Sequence, residues 1–473
     1  MVLALLAVLC VVACIARLQL DFNGPHVDES DYAFVGRLLL DGGTWPSRTY
    51  VFSSDLPLYI IGFAADLGGL TGARIASTLA GVASLLLVFT LYARCMPRPV
   101  ALIGAGLLAL TANHIFVSKF ATYDIWCFLL FVASLNLLLL PLTTPQPKGY
   151  RSLAAGMTLG LAVLFKYVVV VYAPLICVLL FLVDRKRGIA FGAGVAFILV
   201  NYLYVNWAEL QVLYEQQLAG VHRSNTLPLD IAWRTLLDLW PLALPAAFAW
   251  KARHLLTPIG GGWVAPLALL AIPLIAYHLA SGNGIALSKH LIYAQLFIAP
   301  LAALGLWHLA HAGWSHALLA ALVLCGGFWW QQQEVTQLEN AFPDHRSVIE
   351  QTLSLVDENT TVLSENPYLM RDAWYPRLGL TQLSDFSSFD NDADGVTTEQ
   401  DIIDAVWEGK FDLVYLDGRF DPDLAWRLRN EVLPNSYEAI IELPYQTSDR
   451  LSWNTTGLLS LYALRDRPAR GAL

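Results

Sequence analysis

The sequence predicts an α-helical polytopic membrane protein that ends in an α/β domain outside the membrane. Apolar residues make up 56% of its 473 residues. Charged residues make up only 14%, against about 25% in an ordinary soluble protein. The apolar residues also recur in runs that approach the roughly 20 residues a helix needs to cross a bilayer.

The net charge of −9 is unevenly distributed along the chain. Residues 1–330 carry 18 Lys and Arg against 13 Asp and Glu, whereas residues 331–473 carry 11 against 25. The change from a net positive to a net negative segment predicts a transmembrane body at 1–330 and a water-facing domain at 331–473. The longest outer loop of the body is predicted at 21–71. An acidic domain disfavours nucleic acid as a partner, because binding a phosphate backbone requires positive charge.

Positive charge also predicts the orientation, because basic clusters mark the cytoplasmic ends of spans. Four such clusters lie at residues 94–98, 148–151, 185–187 and 251–253. They predict about eleven spans in a cytoplasmic membrane, with the N-terminus inside and the C-terminal domain extracytoplasmic. The predicted spans lie near residues 2–20, 72–93, 100–117, 124–141, 152–165, 167–183, 189–206, 231–249, 263–280, 290–310 and 315–330.

The first run is expected to be a retained helix, since residues 1–20 lack the basic start and the cleavage site of a signal peptide. Residues 152–183 join two cytoplasmic clusters. A single helix there would be about 48 Å long, so two short spans that meet near Lys166 fit better. Lys166 then lies at the outer face.

Strand and helix patterns alternate in the C-terminal domain. Strands are predicted at 361–365, 411–417, 437–443 and 458–464, with helices at "DIIDAVWEG" and "DLAWRLRNEVL" between them. This order predicts a small α/β sandwich with a largely parallel sheet. No glycine-rich loop follows a strand, so no nucleotide site is predicted.

The stretch "DNDADGVTTEQD", residues 390–401, has the spacing of a calcium-binding loop. Such a loop places oxygen ligands at alternate positions and a glycine at the sharp turn. It resembles the dockerin type, in which the twelfth residue is Asp. A solvated acidic turn is the alternative. The candidate calcium ligands are Asp390, Asp392, Asp394, Val396 through its backbone carbonyl, and Asp401.

The outer loop 21–71 opens with "HVDESDYAFVG", which holds Asp28, Glu29 and Asp31. The apolar stripe that follows predicts an amphipathic helix on the membrane surface, with the acids at its favourable N-terminus. A carboxylate fixed there could act as a general base on a hydroxyl. The alternative is that water near the headgroups simply solvates these acids.

Further polar residues are predicted at the same membrane face. A base and several cations at one face suit a lipid-phosphate donor, because the cations hold the phosphate while the base deprotonates an acceptor. Each cation alone could equally be a snorkelling or topology residue. The set comprises Asp124, Lys166, His222, Arg223, Lys289, His290 and Tyr293.

Several motifs occur in the order found in a known family. They are "HVDESDYAFVGRLLLDGG", "SSDLPLYIIGF", "SKFATYDIWCFLL", "GLAVLFK", the Lys289-to-Tyr293 spacing and "APLAALG". This pattern resembles the membrane glycosyltransferases of the C superfamily (GT-C). It is nearest the branch of protein O-mannosyltransferases and lipid A aminoarabinose transferases, which also carry a soluble C-terminal domain.

The resemblance implies an inverting transfer of a sugar from a polyprenyl or dolichyl monophosphate to an acceptor hydroxyl on a protein, glycan or lipid. Asp28 would be the base, and Glu29 or Asp124 would position the base or the acceptor. Lys166, Arg223, Lys289 and Tyr293 would hold the phosphate, with His222 and His290 beside them. The resemblance requires no cofactor for transfer, although Asp28, Glu29 and Asp124 could converge on a divalent metal.

Two positions depart from the aminoarabinose branch. Asp31 stands where that branch has a basic residue, and Asp55 stands where it has a Lys before paired prolines, of which only Pro57 remains. Arg48 is a candidate substitute for the lost phosphate contacts. The acceptor of that branch is therefore not carried over.

Two other functions compete with the enzyme. A transporter or flippase of lipid-linked glycans would favour internal repeats and polar groups at mid-depth, but no convincing repeat is found and the polar groups gather at one face. A structural scaffold of the cell envelope would not need Asp28.

Overall fold

The computed structural model describes residues 2–20, 22–23, 26–44, 52–139, 149–214, 226–256, 261–284, 286–353, 355–375, 382–386, 389, 397–419, 421–448 and 455–465. The chain divides into two compact units. The first comprises Met1–Leu20 and Gly36–Thr336, and the second comprises Asp21–Val35 and Gln337–Leu473.

The first unit is built from helices, of which α2 and α14 also contribute residues to the second unit. Short 3-10 segments lie at Tyr167–Val171, Ala249–Leu255 and Gly261–Trp263. The helices are α1 (Val2–Leu18), α2 (Val27–Leu40), α3 (Leu56–Ala93), α4 (Arg98–Ala109), α5 (Ala112–Lys119), α6 (Asp124–Leu139), α7 (Gly149–Phe165), α8 (Tyr172–Val183), α9 (Arg185–Leu213), α10 (Pro228–Ala246), α11 (Val264–Leu270), α12 (Pro273–Ser281), α13 (Leu287–His311) and α14 (Trp314–Glu339).

Several of these helices are suited to a bilayer, and the chain is an integral membrane protein. In the described part, four helical stretches are long and apolar enough to cross: α3, α9, Val264–Ser281 and α13. A fifth is added if α4 and α5, which meet at 64°, form one broken span. Shorter apolar helices lie at Ala4–Leu18, Asp124–Leu139, Gly149–Phe165 and Tyr167–Val183. Most helices follow the predicted apolar runs, but the count of about eleven spans is not confirmed. The predicted outer loop 21–71 is wrong in extent, because α3 already begins at Leu56 rather than near residue 72.

The helix break predicted near Lys166 is present. Lys166 has an extended backbone (φ −159°, ψ 116°) between α7 and the 3-10 segment. A strand-like segment covers the break, since Ser54 N donates to Leu164 O over 2.7 Å and Tyr167 N donates to Phe52 O over 3.0 Å. These two hydrogen bonds fix the backbone on both sides of Lys166, and so fix the point from which its side chain projects.

Two glycines bring α2 and α3 together. A Cβ built on Gly36 would lie 2.2 Å from Leu58 O, and one built on Gly62 would lie 2.3 Å from Gly36 C. The backbones are thus in direct contact. Helix α3 is also broken at Gly69, whose positive φ of 60° suits glycine.

The second unit contains a five-stranded sheet of order β2-β1-β3-β5-β4. The strand β1 pairs in parallel with β2 and β3, whereas β5 pairs antiparallel with both β3 and β4. The prediction of a largely parallel sheet is therefore wrong. The short connection 447–455 cannot hold a crossover, so the last two strands form a hairpin. The strands are β1 (Val362–Ser364), β2 (Leu383–Asp385), β3 (Leu413–Leu416), β4 (Tyr437–Gln446) and β5 (Thr456–Leu464).

Helices cover both faces of this sheet, and all four residues of β3 are buried. Val414 and Leu416 pack in the cluster that includes Ile402 and Leu424. Leu413 and Tyr415 pack in the cluster that includes Trp374. The alternation is that of a strand buried on both sides. The helices are α15 (Arg346–Thr352), α16 (Pro367–Trp374), α17 (Glu399–Trp407), α18 (Pro422–Arg427) and α19 (Leu433–Ser436), with a π-helical turn at Leu428–Val432.

Candidate functional site

The predicted base lies in the first turn of α2, within the second unit. Asp28 keeps 24% of its side chain exposed, whereas Glu29 is fully buried. Glu29 Oε2 accepts a hydrogen bond from His26 N over 3.0 Å, so its carboxylate caps the helix. The His26 ring accepts at Nδ1 from Asp28 N over 3.1 Å, which leaves that nitrogen without a proton. Of the two predicted acids, Asp28 is the one accessible to a substrate.

Asp31, the residue that departs from the family pattern, has a cationic partner in the second unit. Arg371 Nη1 lies 3.2 Å from Asp31 Oδ1, and the Asp31 side chain is completely buried. Every residue from 29 to 36 is buried as well. The predicted helix is present, with Asp28 and Glu29 in its first turn. Its predicted place on a membrane surface is wrong for residues 29–36, because protein buries them and protein groups bind Glu29 and Asp31.

A second cluster lies within the first unit around Asp124, which begins α6 and is 4% exposed. Its Oδ1 accepts a hydrogen bond from the ammonium group of Lys166. Its Oδ2 accepts from Thr122 Oγ1 over 2.8 Å and lies 4.0 Å from Lys289 Nζ. Lys166 and Asp124 are buried, and the Lys289 side chain is 13% exposed.

Local structure explains why these three charges meet. Asp124 lies in the first turn of α6, where the helix dipole favours an acid. Lys166 projects from the break between helices, and Lys289 lies in the first turn of α13. Together the three groups carry a net charge of +1. Two ammonium groups around one carboxylate in an apolar setting can receive a further anion, such as a phosphate.

His290 was predicted beside the phosphate, and the structure places it in a histidine pair. His278 Nδ1 donates to Asn283 O over 2.5 Å, since a carbonyl only accepts. His278 Nε2 lies 2.8 Å from His290 Nδ1, which donates to it when both rings are neutral. His290 Nε2 is then a buried acceptor with no hydrogen-bond partner among the described residues. This geometry suits a hydroxyl or a protonated phosphate oxygen.

Tyr293 is 1% exposed and lies within an aromatic cluster of the first unit. Its hydroxyl donates to Cys127 Sγ over 3.1 Å. The ring meets Phe128 and Phe131 edge to face, with centroids 5.6 and 5.4 Å apart. These contacts give Tyr293 a packing role, and its predicted contact with a phosphate stays a prediction.

Some predicted site residues lie outside the described part of the chain. Of the candidate calcium ligands only Asp401 is described, and its Oδ2 accepts from Thr398 N over 2.8 Å in the capping box of α17. No group of three or more His, Cys, Asp or Glu side chains within the described ranges could hold a metal ion. The predicted residues outside those ranges are Arg48, His222, Arg223, Asp390, Asp392, Asp394 and Val396.

Sequence reasoning missed two residues of these clusters. His278 carries no motif, and its partner His290 lies 12 positions away across a turn. Arg371 is 340 positions from Asp31. The one available signal was Asp31 itself, an acid that required a cation from elsewhere in the chain.

Comparison with known proteins finds a family match over part of the chain and a shared fold over nearly all of it. Residues 56–205 match the family described as dolichyl-phosphate-mannose-protein mannosyltransferase. No curated protein sequence shows significant similarity to the chain.

Solved structures of membrane enzymes match nearly the whole chain. Apo ArnT from Cupriavidus metallidurans aligns with a TM-score of 0.67 and 14% identity, covering 97% of both chains. ArnT bound to undecaprenyl phosphate has a TM-score of 0.64, 14% identity and the same coverage. The Archaeoglobus fulgidus oligosaccharyltransferase AglB, in complex with an inhibitory peptide and a dolichol-phosphate, has a TM-score of 0.54 and 13% identity over 96% of this chain and 74% of its own. The resemblance predicted from the motifs is confirmed.

Proposed function

We propose that this C-superfamily glycosyltransferase, related to the protein O-mannosyltransferases and ArnT, moves a sugar from a polyprenyl or dolichyl monophosphate to an acceptor hydroxyl. The observation that carries the proposal is the buried group of Asp124, Lys166 and Lys289, which has a net positive charge. The lipid phosphates bound by ArnT and AglB support the same donor class.

The reaction is a single displacement at the anomeric carbon. The acceptor oxygen forms a bond to C1 of the sugar while the bond from C1 to the phosphate oxygen breaks. Attack from the opposite face inverts the configuration. The proton of the acceptor hydroxyl passes to the Asp28 carboxylate and later to solvent. The leaving lipid phosphate gains one negative charge.

Lys166 and Lys289 stabilise that developing charge. In a site with little water, a fixed cation stabilises a leaving phosphate far more than it would in bulk solvent. Asp124 holds the two ammonium groups in place before the donor binds, so little rearrangement is needed during the reaction. His290 is proposed to accept a hydrogen bond from a hydroxyl of the donor.

Asp28 is the proposed general base because it is the accessible acid of α2, while Glu29 holds the start of the helix. A general base contributes roughly 10²- to 10⁴-fold to the rate. The proposed orientation puts the N-terminus in the cytoplasm and residues 331–473 outside. The family match at residues 56–205 favours a mannose-like donor.

The test uses the full-length protein in liposomes, with a radiolabelled sugar on polyprenyl monophosphate and a hydroxyl acceptor. Asp28→Asn should lower kcat about 10²- to 10⁴-fold with little change in the affinity for polyprenyl phosphate. Asp41→Asn, an exposed acid just beyond the end of α2, is the matched control and should keep wild-type activity. Transfer by the Asp28→Asn variant at the wild-type rate would show that Asp28 is not the base.

A further inference from the structure

We infer that Arg371, in the C-terminal part of the second unit, is a positioning residue that sets the direction of Asp28. The inference rests on the proposed function, because it assigns Arg371 a part in the same reaction. It concerns contacts that lie entirely within the second unit.

Several described residues between 23 and 34 contact the C-terminal segment of the second unit at successive points. Asn23 Nδ2 donates to Glu339 O and Phe342 O over 3.0 and 2.7 Å. The His26 ring meets the Phe342 ring edge to face, with centroids 4.0 Å apart. These contacts hold Asn23 and His26, which precede the first residue of α2.

Helix α16 then holds the first turns of α2. Ser30 Oγ donates to Leu369 O over 3.0 Å and accepts from Asp372 N over 3.4 Å. Arg371 pairs with Asp31 over 3.2 Å. Further along, the rings of Phe34 and Tyr375 meet edge to face at 5.5 Å. Hydrogen bonds fix the position of α2 along its axis, and the ion pair fixes its rotation.

The ion pair controls rotation because of its place on the helix. Asp31 follows Asp28 by three positions, so the two side chains project from the same face one turn apart. Rotating α2 about its axis to move Asp28 would also pull Asp31 away from Arg371. Because Asp31 is fully buried and the Arg371 side chain is 12% exposed, separating the two charges would leave both poorly solvated.

A buried ion pair often adds little net stability compared with apolar residues of the same shape, but its directionality can specify one arrangement. Here the guanidinium and the carboxylate have only a narrow range of good geometries. An apolar pair would allow α2 to rotate on its neighbour without a large cost. The arrangement thus favours an orienting role over simple stabilisation.

The test compares steady-state kinetics of Arg371→Met, Arg371→Lys, Arg371→Asp and the exchange D31R/R371D in the full-length protein. Arg371→Met should lower kcat at least 10-fold, with the KM for the lipid-linked donor and the affinity for polyprenyl phosphate changed less than 3-fold. Arg371→Lys should retain more of kcat than Arg371→Met, and the exchange should recover part of what Arg371→Asp alone loses.

The matched control is Arg427→Met, which removes an exposed arginine paired with Glu399 in the same unit. It should leave kcat and KM unchanged. If Arg371→Met does not fold, as judged by size-exclusion chromatography and thermal unfolding, the folded Arg371→Asp variant and the exchange decide the question. Wild-type kcat in Arg371→Asp, or no recovery of kcat in a folded exchange variant, would then overturn the inference.

Failure of this inference is distinguishable from failure of the proposed function. If Asp28→Asn is inactive while folded Arg371→Met has wild-type kcat, Asp28 is the base and Arg371 does not position it. If Asp28→Asn is fully active, the base is wrong and an inference about its orientation falls with it. A large rise in KM with unchanged kcat in Arg371→Met also overturns the positioning role, since it indicates donor binding.

Discussion

Lys166 donates a hydrogen bond to Asp124 across 42 positions of the chain, and both side chains are buried. Lys289 approaches the other oxygen of the same carboxylate at 4.0 Å. The carboxylate is thus the shared counter-ion of two lysines. Replacing the carboxylate should mainly lower stability, whereas replacing Lys289 should mainly weaken the binding of the donor.

Asp124→Asn should destabilise the protein by about 3–5 kcal/mol, because it leaves buried ammonium groups without their counter-ion. Thermal unfolding in detergent measures this. Polyprenyl phosphate should raise the Tm of the variant more than that of the wild type, since the phosphate replaces the lost negative charge. Glu399→Gln breaks an exposed pair with Arg427 and should cost at most about 1 kcal/mol. Equal destabilisation by the two variants would contradict the prediction.

Lys289→Gln should weaken the binding of polyprenyl phosphate at least 10-fold, which corresponds to about 1.4 kcal/mol. The reason is the loss of a charge-assisted contact to the phosphate. Isothermal titration or a filter-binding assay in nanodiscs measures the change. Lys251→Gln, which removes an exposed lysine of the first unit, is the control and should bind normally. Unchanged affinity in Lys289→Gln would remove this lysine from the phosphate site.

Gly36→Ala should destabilise the first unit by about 1–3 kcal/mol or more, because the added methyl group meets the backbone of α3. Gly106→Ala places a methyl group in a helix where the nearest atom outside it is 3.8 Å away. That control should be neutral or stabilise by up to about 1 kcal/mol. Thermal unfolding of both variants measures the contrast, and a stable Gly36→Ala protein would show that the two helices can separate freely.

The buried His345 should make the stability of the second unit depend on pH. It is fully buried, with Nδ1 2.8 Å from the Tyr415 hydroxyl. Burial, aided by the charge of Arg419, lowers the pKa of His345 to about 3, against about 6.5 in the unfolded chain. Between these values the unfolded state binds a proton that the folded state does not. Stability should therefore fall as the pH drops from about 6.5 towards 3, by up to about 1.4 kcal/mol per pH unit.

Thermal unfolding between pH 7 and pH 4 tests this dependence. His345→Asn, which can keep a hydrogen bond to Tyr415, should flatten the decline in Tm. His316→Asn removes an exposed histidine and should leave the decline as in the wild type. If Tm still falls steeply with pH in His345→Asn, groups other than His345 cause the loss of stability.

Local signals in the sequence predicted where the helices lie and where one of them breaks. The apolar runs locate most helices of the first unit, but α3 begins at Leu56, inside the predicted outer loop 21–71. The break near Lys166 follows from the cytoplasmic clusters that flank residues 152–183 and from the length of about 48 Å that a single helix would have there. The strands β1, β3, β4 and β5 were also found from local pattern. Their pairing directions were not, because β3 and β5 are joined by hydrogen bonds that no local pattern encodes.

The sequence predicted many of the residues of the candidate site, but not their hydrogen-bond and ion-pair partners. Asp28 and Glu29 are adjacent and both carry a carboxylate, yet one is accessible and the other is a buried helix cap. Asp124 was predicted to position the base or the acceptor, and no signal in the sequence indicated that it pairs with Lys166 and Lys289. These differences depend on partners up to 165 positions away in the chain, so they emerge only once the fold is known.

The second unit is built from two distant segments of the chain, Asp21–Val35 and Gln337–Leu473. This has a consequence for biosynthesis. Asp31 leaves the ribosome early, but Arg371 follows 340 residues later. At about 5–20 residues per second, the two are synthesised roughly 20–70 s apart. A nascent or truncated chain therefore carries Asp28 without the segment that orients it. Such a chain should be inserted yet inactive, so completing translation would itself be a condition for switching the enzyme on.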